Sequence, residues 1–187
     1  MGNPAAPPLS RRLRRTAILA GVNALVITGP PGSGKSATLE ALSDLLHDRD
    51  VAHACLEVDA LSWSHPPISA EAGARHVAAL SSLYRDEGYD LLLVAGPLAT
   101  PGQRAALLDA VGADELFVVR LDASEETLRA RIVAREPAGW SQLGRLLERA
   151  REMRPAMASV NADLALDTAR LDPSAAALEI AEQCPWT

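Results

Sequence analysis

The sequence predicts an α/β fold in which helices cover both faces of a five-stranded parallel sheet. Two observations lead to this prediction. Five short apolar runs alternate with helical segments along the chain, and most of these runs are apolar at consecutive positions, as expected for strands buried on both faces. The chain has 187 residues, of which 48% are hydrophobic, so it is long enough to bury a sizeable core.

Each predicted strand is a short apolar run that ends at, or is followed by, a turn signal or an acidic residue. The first run, ALVIT, leads directly into a Gly-Pro-Pro-Gly turn, and the third, DLLLVA, is followed by Gly96 and Pro97. The strands are predicted over residues 24–28, 53–58, 90–95, 115–121 and 162–167.

The predicted helices are recognised by apolar residues at helical spacing and by residues that favour helix ends. Gly88 closes the second helix, Ser124 opens the fourth as an N-cap, Pro137 stops that helix, and Pro173 occupies the first turn of the last one. The helices are predicted over residues 35–48, 69–87, 102–111, 124–136, 141–153 and 173–183.

Residues 1–21 differ in composition from the rest of the chain. Four arginines cluster at positions 11, 12, 14 and 15, whereas all 24 acidic residues lie at or beyond Glu40. The apolar stretch after these arginines is too short for the hydrophobic region of a secretory signal, and no apolar run in the chain approaches the ~20 residues of a membrane span. We therefore expect a flexible or short-helical leader over residues 1–21, a single domain over residues 22–187, a cytoplasmic location and no membrane partner.

The charge balance excludes one class of partner. The net charge of -6 and the sequence pI of about 5.2 argue against binding to duplex nucleic acid, which requires a basic surface. Aromatic residues make up only 3% of the chain, few for a protein that stacks nucleic-acid bases. Of the 18 basic residues, 17 are arginine and one is lysine, and this single lysine lies in the most informative segment of the sequence.

That segment, GPPGSGKS at residues 29–36, matches the phosphate-loop pattern G-x-x-x-x-G-K-[ST] at every defined position. A predicted strand enters it and a predicted helix leaves it, which is the context that the motif requires. Glycines let backbone N–H groups converge on an anion, and the helix N-terminus adds the positive end of its dipole. The alternative is a purely structural glycine turn. The residues predicted to bind the nucleotide are Gly29, Pro30, Pro31, Gly32, Ser33, Gly34, Lys35, Ser36 and Thr38.

Two residues at the end of the loop have distinct predicted roles. Lys35, a compact cation, reaches the β- and γ-phosphates of a nucleoside triphosphate and is a predicted catalytic residue. The hydroxyl group of Ser36 completes the ligand shell of Mg²⁺, which usually binds together with substrate phosphates.

With this loop near the start of a short chain, residues 24–183 resemble the P-loop kinases of small molecules. That superfamily includes nucleoside monophosphate kinases, shikimate and gluconate kinases, adenylylsulfate kinases and chloramphenicol phosphotransferase. The resemblance implies ATP and Mg²⁺ as cofactors and the three-layer sandwich of the P-loop NTPases, with strand order 2-3-1-4-5 and a short helical lid. It places acceptor binding at about residues 60–88 and the lid at about residues 131–154.

The run LEVDAL at residues 56–61 is similar to a segment of the kinases that phosphorylate hydroxyl groups. In those kinases an Asp at the carboxyl end of the second strand faces the acceptor, and the resemblance implies for Asp59 a role as base or Mg²⁺ partner. The position suits this role, because ligands of open α/β sheets bind beyond the carboxyl ends of the strands. The alternative is an Asp that caps the next turn.

Arg131 and Arg135 lie four residues apart and resemble the R-x-x-x-R entry to the lid of nucleotide kinases. One helix face then carries both guanidinium groups, which could neutralise charge on the transferred phosphoryl group. The alternative is a solvated basic face beside Glu125, Glu126 and Glu136. The next predicted helix offers further candidates for a lid arginine, among which spacing does not choose: Arg145, Arg149, Arg151 and Arg154.

The third predicted strand departs from the pattern of many relatives, which end it with an acidic, Mg²⁺-associated residue. Ala95 takes that place here, and Asp90 lies at the opposite end of the strand. This departure argues against a nucleoside monophosphate kinase.

Trp63 and His65 follow Asp59 in a proline-rich loop and are predicted to form a wall that binds the acceptor. The alternative is that Trp63 packs under the loop. The predicted function is therefore transfer of the γ-phosphoryl group of ATP to a hydroxyl group of a small molecule. The alternatives are a non-catalytic ATP- or GTP-binding switch module and a nucleoside monophosphate kinase.

Overall fold

The computed structural model of the chain describes residues 21–98 and 100–187; the predicted leader therefore lies almost entirely outside the described residues. The strands are β1 (Asn23–Thr28), β2 (Ala54–Glu57), β3 (Leu91–Ala95), β4 (Glu115–Asp122) and β5 (Leu164–Asp167). They form one sheet in the order β2-β3-β1-β4-β5, and every neighbouring pair is parallel. This topology confirms the predicted fold class and strand order.

Helices cover both faces of the sheet. They are α1 (Lys35–Asp48), α2 (Val58–Leu61), α3 (Ala70–Asp86), α4 (Pro101–Val111), α5 (Glu125–Arg135), α6 (Leu143–Ala158) and α7 (Pro173–Gln183). Side chains alternate between two hydrophobic clusters along β1, since Leu25 and Ile27 pack on the side of α1 and α7 whereas Ala24 and Val26 pack on the opposite side. No helix among the described residues is both long and apolar enough to cross a lipid bilayer.

The second strand differs from its prediction at the end that matters for function. The sequence predicts that this strand runs to Val58 and places Asp59 just beyond an extended segment. In the structure the strand ends at Glu57, and the chain passes directly into α2. Val58 and Leu61, three residues apart, both pack against the cluster on the α3 side of the sheet. Helical spacing puts two such residues on one side, whereas a strand would point them to opposite faces. Asp59 therefore lies in a helical turn.

The helix α6 is also longer than the predicted span of residues 141–153, because it continues through Pro155. Two tertiary contacts stabilise its last turn. Met157 is 1% exposed in the core, and the Arg120 side chain donates a hydrogen bond of 3.0 Å to the carbonyl oxygen of Ala158. Packing therefore extends the helix beyond the point at which local sequence predicts its end.

Four helices begin with a capping side chain that accepts a hydrogen bond from a backbone N–H three residues later. Of these helices, α4, α5 and α7 each follow a strand directly and α3 follows α2, so all four begin beyond the carboxyl ends of strands at one edge of the sheet. The caps therefore order the loops at the edge where ligands of this kind of sheet bind. The capping residues are Ser69, Thr100, Ser124 and Asp172.

Candidate active site

The predicted phosphate loop connects the fully buried central strand β1 to α1. Two of its glycines pass close to neighbouring backbone. A Cβ atom at Gly29 would lie 2.5 Å from the carbonyl oxygen of Leu121, and one at Gly32, where φ is 83°, would lie 2.8 Å from that of Leu128. Any larger residue at these two positions would therefore push the loop away from β4 and α5.

The Lys35 side chain folds back over this loop. Its Nζ atom donates hydrogen bonds to the carbonyl oxygens of Gly29 at 3.0 Å and Pro30 at 3.3 Å. The side chain is half-buried, and the ammonium group lies over the loop through which a phosphate would be bound. The loop therefore holds its one cation in place before any anion is present.

The electrostatic surroundings of Lys35 come from four other side chains. Burial is the main reason that the pKa of Lys35 is lowered from its ordinary value. The carboxylate of Asp59 raises that pKa, the guanidinium groups of Arg135 and Arg149 lower it, and the carboxylate of Glu57 raises it. A phosphate at the loop would supply the negative charge that the buried ammonium group lacks.

The backbone of the loop also offers donors to an anion. Within the described residues, the N–H groups of Gly34, Lys35 and Ser36 have no hydrogen-bond acceptor, and the first N–H to bond inside the helix is that of Thr38, to Gly34 at 2.9 Å. Space is open where a Cβ atom at Gly34 would stand. These free donors, at a helix N-terminus beside a lysine, form a cradle that fits a phosphate group.

The remaining loop residues contribute mainly through their backbone. Ser33 is fully buried, and its hydroxyl oxygen has no hydrogen-bond partner within the described part of the chain. Its N–H donates to the carbonyl oxygen of Pro30 at 3.1 Å, and its own carbonyl accepts from Thr168 at 3.1 Å. Pro31 is half-buried and Thr38 is 1% exposed in the first turns of α1.

Two carboxylates lie at the carboxyl end of β2, and sequence reasoning singled out only one of them. Asp59 is exposed on α2. Glu57 is half-buried, and Cys55, which shares its side of the strand, packs against the cluster on the α1 side of the sheet. Glu57 therefore lies on the face that also carries Lys35. The signal that could have found it is the spacing of two acids two residues apart at the end of a predicted strand.

The oxygen-bearing side chains near the phosphate loop are candidate ligands for Mg²⁺. Within residues 21–98 and 100–187, no group of three or more His, Cys, Asp or Glu side chains could hold a metal ion by itself. Ser36, Glu57 and Asp59 supply one hydroxyl and two carboxylate groups, and Mg²⁺ is usually bound by one or two carboxylates together with substrate phosphates. The residues therefore fit a Mg²⁺ ion that binds with a nucleotide.

The end of β3 shapes the site although it carries no acidic residue. Ala95 is 3% exposed in the core, and Gly96 follows it. A Cβ atom at Gly96 would lie 2.8 Å from a methyl carbon of Val58, the first residue of α2. The glycine thus lets α2 approach the sheet, and this approach fixes the turn that carries Asp59.

The two predicted lid arginines have different surroundings. Arg131 is half-buried and donates to the hydroxyl group of Thr168 at 3.1 Å and to its carbonyl oxygen at 2.6 Å, with a longer contact to Gly32 at 3.5 Å. Arg135 is exposed and paired with Glu136 at 2.5 Å. Arg131 therefore contacts the phosphate loop and the β5–α7 loop, whereas Arg135 acts on Lys35 through its charge.

The four arginines of α6 are also distinguished by their partners. Arg151 pairs with Glu148 at 2.7 Å, Arg154 donates to the carbonyl oxygen of Ala123 at 3.0 Å, and Arg145 donates to a side-chain amide. The guanidinium group of Arg149 forms no ion pair among the described residues and donates to a methionine sulfur atom at 3.3 Å, and its charge lowers the pKa of Lys35. Arg149 is thus the arginine of α6 whose charge acts on the lysine of the phosphate loop.

The loop after α2 exposes the predicted acceptor-binding residues. Trp63 is 85% exposed, so it does not pack under the loop, and His65 is exposed as well. The loop is tied to its neighbours, because Ile68 N–H donates to the Ser64 hydroxyl at 3.1 Å and a ring nitrogen of His76 lies 3.1 Å from the Leu61 carbonyl oxygen. An exposed indole ring therefore stands on an ordered loop that follows Asp59.

The chain matches known proteins in structure but not in sequence. No protein-family model and no curated protein sequence matches the chain. Solved structures do match it. A sugar kinase from Janibacter sp. has a TM-score of 0.61 and 18% identity, covering 87% of this chain and 94% of that one.

Two further solved structures match over similar lengths. A gluconokinase from Sinorhizobium meliloti has a TM-score of 0.58 and 22% identity, covering 86% of this chain and 94% of its own. The APS kinase of Mycobacterium tuberculosis, solved with AMPPNP and APS, has a TM-score of 0.60 and 19% identity, covering 87% and 97%. Together with the parallel sheet of order 2-3-1-4-5 and the phosphate loop on its central strand, these matches show that the chain has the fold of the P-loop kinases that act on small molecules.

Proposed function

We propose that this chain is an ATP-dependent phosphotransferase that moves the γ-phosphoryl group to a hydroxyl group of a small molecule. The observation that carries the proposal is that the carboxylates of Glu57 and Asp59, at and just beyond the carboxyl end of β2, lie near enough to the phosphate-loop lysine for their charges to raise its pKa. A donor site and an acceptor base are the two parts that such a transfer needs. The kinase names of the matched structures support the same reaction class.

The donor side is formed by the phosphate loop. Free N–H groups at the start of α1 and the ammonium group of Lys35 bind the phosphates, and Lys35 exchanges its two carbonyl partners for phosphate oxygens. Ser36 and Glu57 would hold Mg²⁺, which when bound neutralises charge on the phosphates.

The acceptor side is formed by Asp59 and the loop after α2. The Asp59 carboxylate orients the acceptor hydroxyl group and takes its proton as the oxygen–phosphorus bond forms. Trp63 and His65 contact the body of the acceptor. The bond between the γ-phosphorus atom and the bridging oxygen breaks, so ADP leaves with that oxygen.

The lid supplies positive charge opposite the carboxylates. Arg135 and Arg149 lie where their charges reach Lys35, so they also reach the phosphoryl group that Lys35 binds. Charge spreads over the equatorial oxygens of that group during transfer, and fixed cations stabilise it there. Arg131 acts by holding the β5–α7 loop against the phosphate loop.

The test is acceptor-dependent turnover. Purified chain is incubated with Mg·ATP and a panel of hydroxylated small molecules, while ADP release is followed and each mixture is searched by mass spectrometry for a compound that has gained one phosphoryl group. We expect at least one compound to stimulate ADP release and to appear phosphorylated, and we expect Lys35→Ala to abolish both signals. Tight nucleotide binding without stimulation by any hydroxyl compound would favour the non-catalytic ATP- or GTP-binding module instead.

A further inference from the structure

We propose that the acceptor is a ring-bearing alcohol that carries no anionic group, and this inference rests on the proposed phosphotransferase function. The substrate class follows from the charges around the acceptor-binding region and from its exposed indole ring. The acceptor-binding region is taken as residues 60–88, all of which are described.

Both arginines of the acceptor-binding region already have oxygen partners, and the region contains no lysine. The region contains two arginines. Arg75 is paired with Glu71 at 2.9 Å on the exposed face of α3. Arg85 donates to the carbonyl oxygen of Val111 at the other end of α3, away from the carboxyl edge of the sheet. Recognition of a carboxylate or phosphate group normally uses a guanidinium or ammonium group with free donors.

The charges next to the reacting hydroxyl group are negative. Asp59 lies immediately before the acceptor-binding region, and Glu57 lies two residues before Asp59. The charges of Arg135 and Arg149 act on Lys35, so these three cations lie on the side of the phosphate loop, where the nucleotide phosphates would occupy them. An anionic group on the acceptor would thus lie close to two carboxylates without a countercharge of its own, and like charges disfavour binding at such distances.

The ring in the proposed acceptor follows from Trp63. Its side chain is 85% exposed although it stands on a loop held by hydrogen bonds at both ends of the turn. Both faces of the indole ring are therefore open to solvent, and a flat ring laid against one of them would bury apolar surface. The electron-rich face of the indole ring also disfavours anions and tolerates cations. The ring and the neighbouring carboxylates therefore select against the same anionic acceptors.

The test measures the charge preference at Trp63 without requiring the natural acceptor. The full chain carrying Trp140→Phe and Trp186→Phe keeps Trp63 as its one tryptophan, and its fluorescence is titrated with 4-nitrobenzyl alcohol and with 4-nitrobenzoate at constant ionic strength. Both compounds carry the same quenching ring and differ in the anionic group. If this variant does not fold, the difference between the wild-type chain and Trp63→Phe gives the same quantity.

We expect the ratio of the two quenching constants, alcohol over benzoate, to exceed the ratio for free N-acetyltryptophanamide at least about threefold. Adding Asp59→Asn should lower that ratio, whereas Asp90→Asn, which removes a carboxylate at the amino end of β3 and outside the acceptor-binding region, should not. A ratio at or below that of the free amide, or an equal response to both Asn variants, would overturn the inference. The protein is nucleotide-free in this measurement, so the outcome is separate from acceptor-stimulated ADP release, whose failure would contradict the proposed function alone.

Discussion

Arg131 forms hydrogen bonds to both oxygens of Thr168, at 3.1 Å to the hydroxyl group and at 2.6 Å to the carbonyl group. The Thr168 hydroxyl in turn lies 3.1 Å from the carbonyl oxygens of Ser33 and Asp122, either of which can accept its proton. One threonine therefore joins the β5–α7 loop to the phosphate loop, to the end of β4 and to the helix α5.

Replacing Arg131 should disturb nucleotide binding more than the chemical step. We expect Arg131→Ala to lower the melting temperature and raise the KM for ATP, because hydrogen bonds to charged groups contribute about 1.5–3 kcal/mol each. Thr168→Val, which removes the hydroxyl group at nearly constant volume, should act in the same direction. Arg129→Ala, an exposed arginine on the same helix, serves as the control. A loss confined to kcat would instead assign Arg131 to the transition state, as its sequence spacing predicts.

Replacing Lys35 by Met should separate stability from nucleotide binding. Because the pKa of Lys35 is lowered by burial in the folded protein, the unfolded chain binds more protons over the range between the folded and ordinary values. The charged lysine therefore costs stability below the lowered pKa, and that cost shrinks as pH rises from the lowered pKa towards the ordinary value, where it is gone. We expect nucleotide-free Lys35→Met to melt no earlier than wild type at pH 7, and the difference to shrink at alkaline pH.

The same variant should lose the rise in melting temperature that Mg·ATP gives the wild-type chain, since a charge-assisted phosphate contact is removed at a cost of about 2–3 kcal/mol. Calorimetry with and without Mg·ATP checks this result. Unchanged ATP affinity in the variant would show that the loop does not bind phosphate through Lys35.

Gly96→Ala should displace α2 and slow turnover. The added Cβ would lie 2.8 Å from a methyl carbon of Val58, so α2 must shift together with Asp59. We expect kcat to fall by up to about 10²-fold, the effect of a misplacement near 1 Å, while the affinity for ATP is retained. The double variant Gly96→Ala/Val58→Ala restores the space and should recover most of the rate. A double variant as slow as the single one would show that the contact does not position Asp59.

The lid prediction compares two arginines of α6. Arg149 has no carboxylate partner among the described residues and acts on Lys35, whereas Arg151 is held by Glu148. We expect Arg149→Ala to lower kcat about 10²-fold, as for loss of one fixed charge at a transition state, and Arg151→Ala to leave it nearly unchanged. Steady-state kinetics with the identified acceptor measures both. Equal effects of the two variants would mean that the lid contributes only a general positive field.

The fold and the phosphate loop could be predicted because both depend on patterns of residues that are close together in the sequence. The run from Ala24 to Ile27 is apolar at every position, and only Thr28 separates it from the loop motif. The short helix α2 could not be predicted in this way, since it depends on a glycine distant in sequence, Gly96 just after β3, that makes room for Val58. Glu57 was missed for a related reason. Its face of the sheet is defined by what packs against Cys55, and that contact is tertiary.

The sequence also could not predict which of the lid arginines acts on the phosphate loop. Spacing treats Arg145, Arg149, Arg151 and Arg154 alike, whereas the structure separates them by their partners: a glutamine, a methionine, a glutamate, and a backbone carbonyl together with the Asp122 carboxylate. The prediction that Arg131 and Arg135 share one role rests on their four-residue spacing. Their partners differ, because one side chain is bound to Thr168 and the other to Glu136.

Asp59→Asn is the most direct test of the hydroxyl-kinase proposal. The substitution keeps the size of the side chain and removes its charge and basicity, so the acceptor hydroxyl group loses the group that takes its proton. We expect transfer to fall by roughly 10²–10⁴-fold, the range for a positioned general base, with ATP affinity nearly unchanged because Lys35 and the loop amides bind the phosphates. Asp90→Asn, at the amino end of β3, is the matched control and should keep the wild-type rate.

A Mg²⁺ titration distinguishes the two roles that the carboxylates at the end of β2 can have. If Asp59 acts as the base, high Mg²⁺ concentrations should not rescue Asp59→Asn, whereas they should rescue part of the rate lost in Glu57→Gln, because that residue is proposed to hold the metal ion. Rescue of Asp59→Asn by Mg²⁺ would assign Asp59 a role in metal binding rather than in proton transfer. If Asp59→Asn instead transferred phosphate to the identified acceptor at most of the wild-type rate, neither role would stand, and the base would have to be sought elsewhere at the carboxyl edge of the sheet.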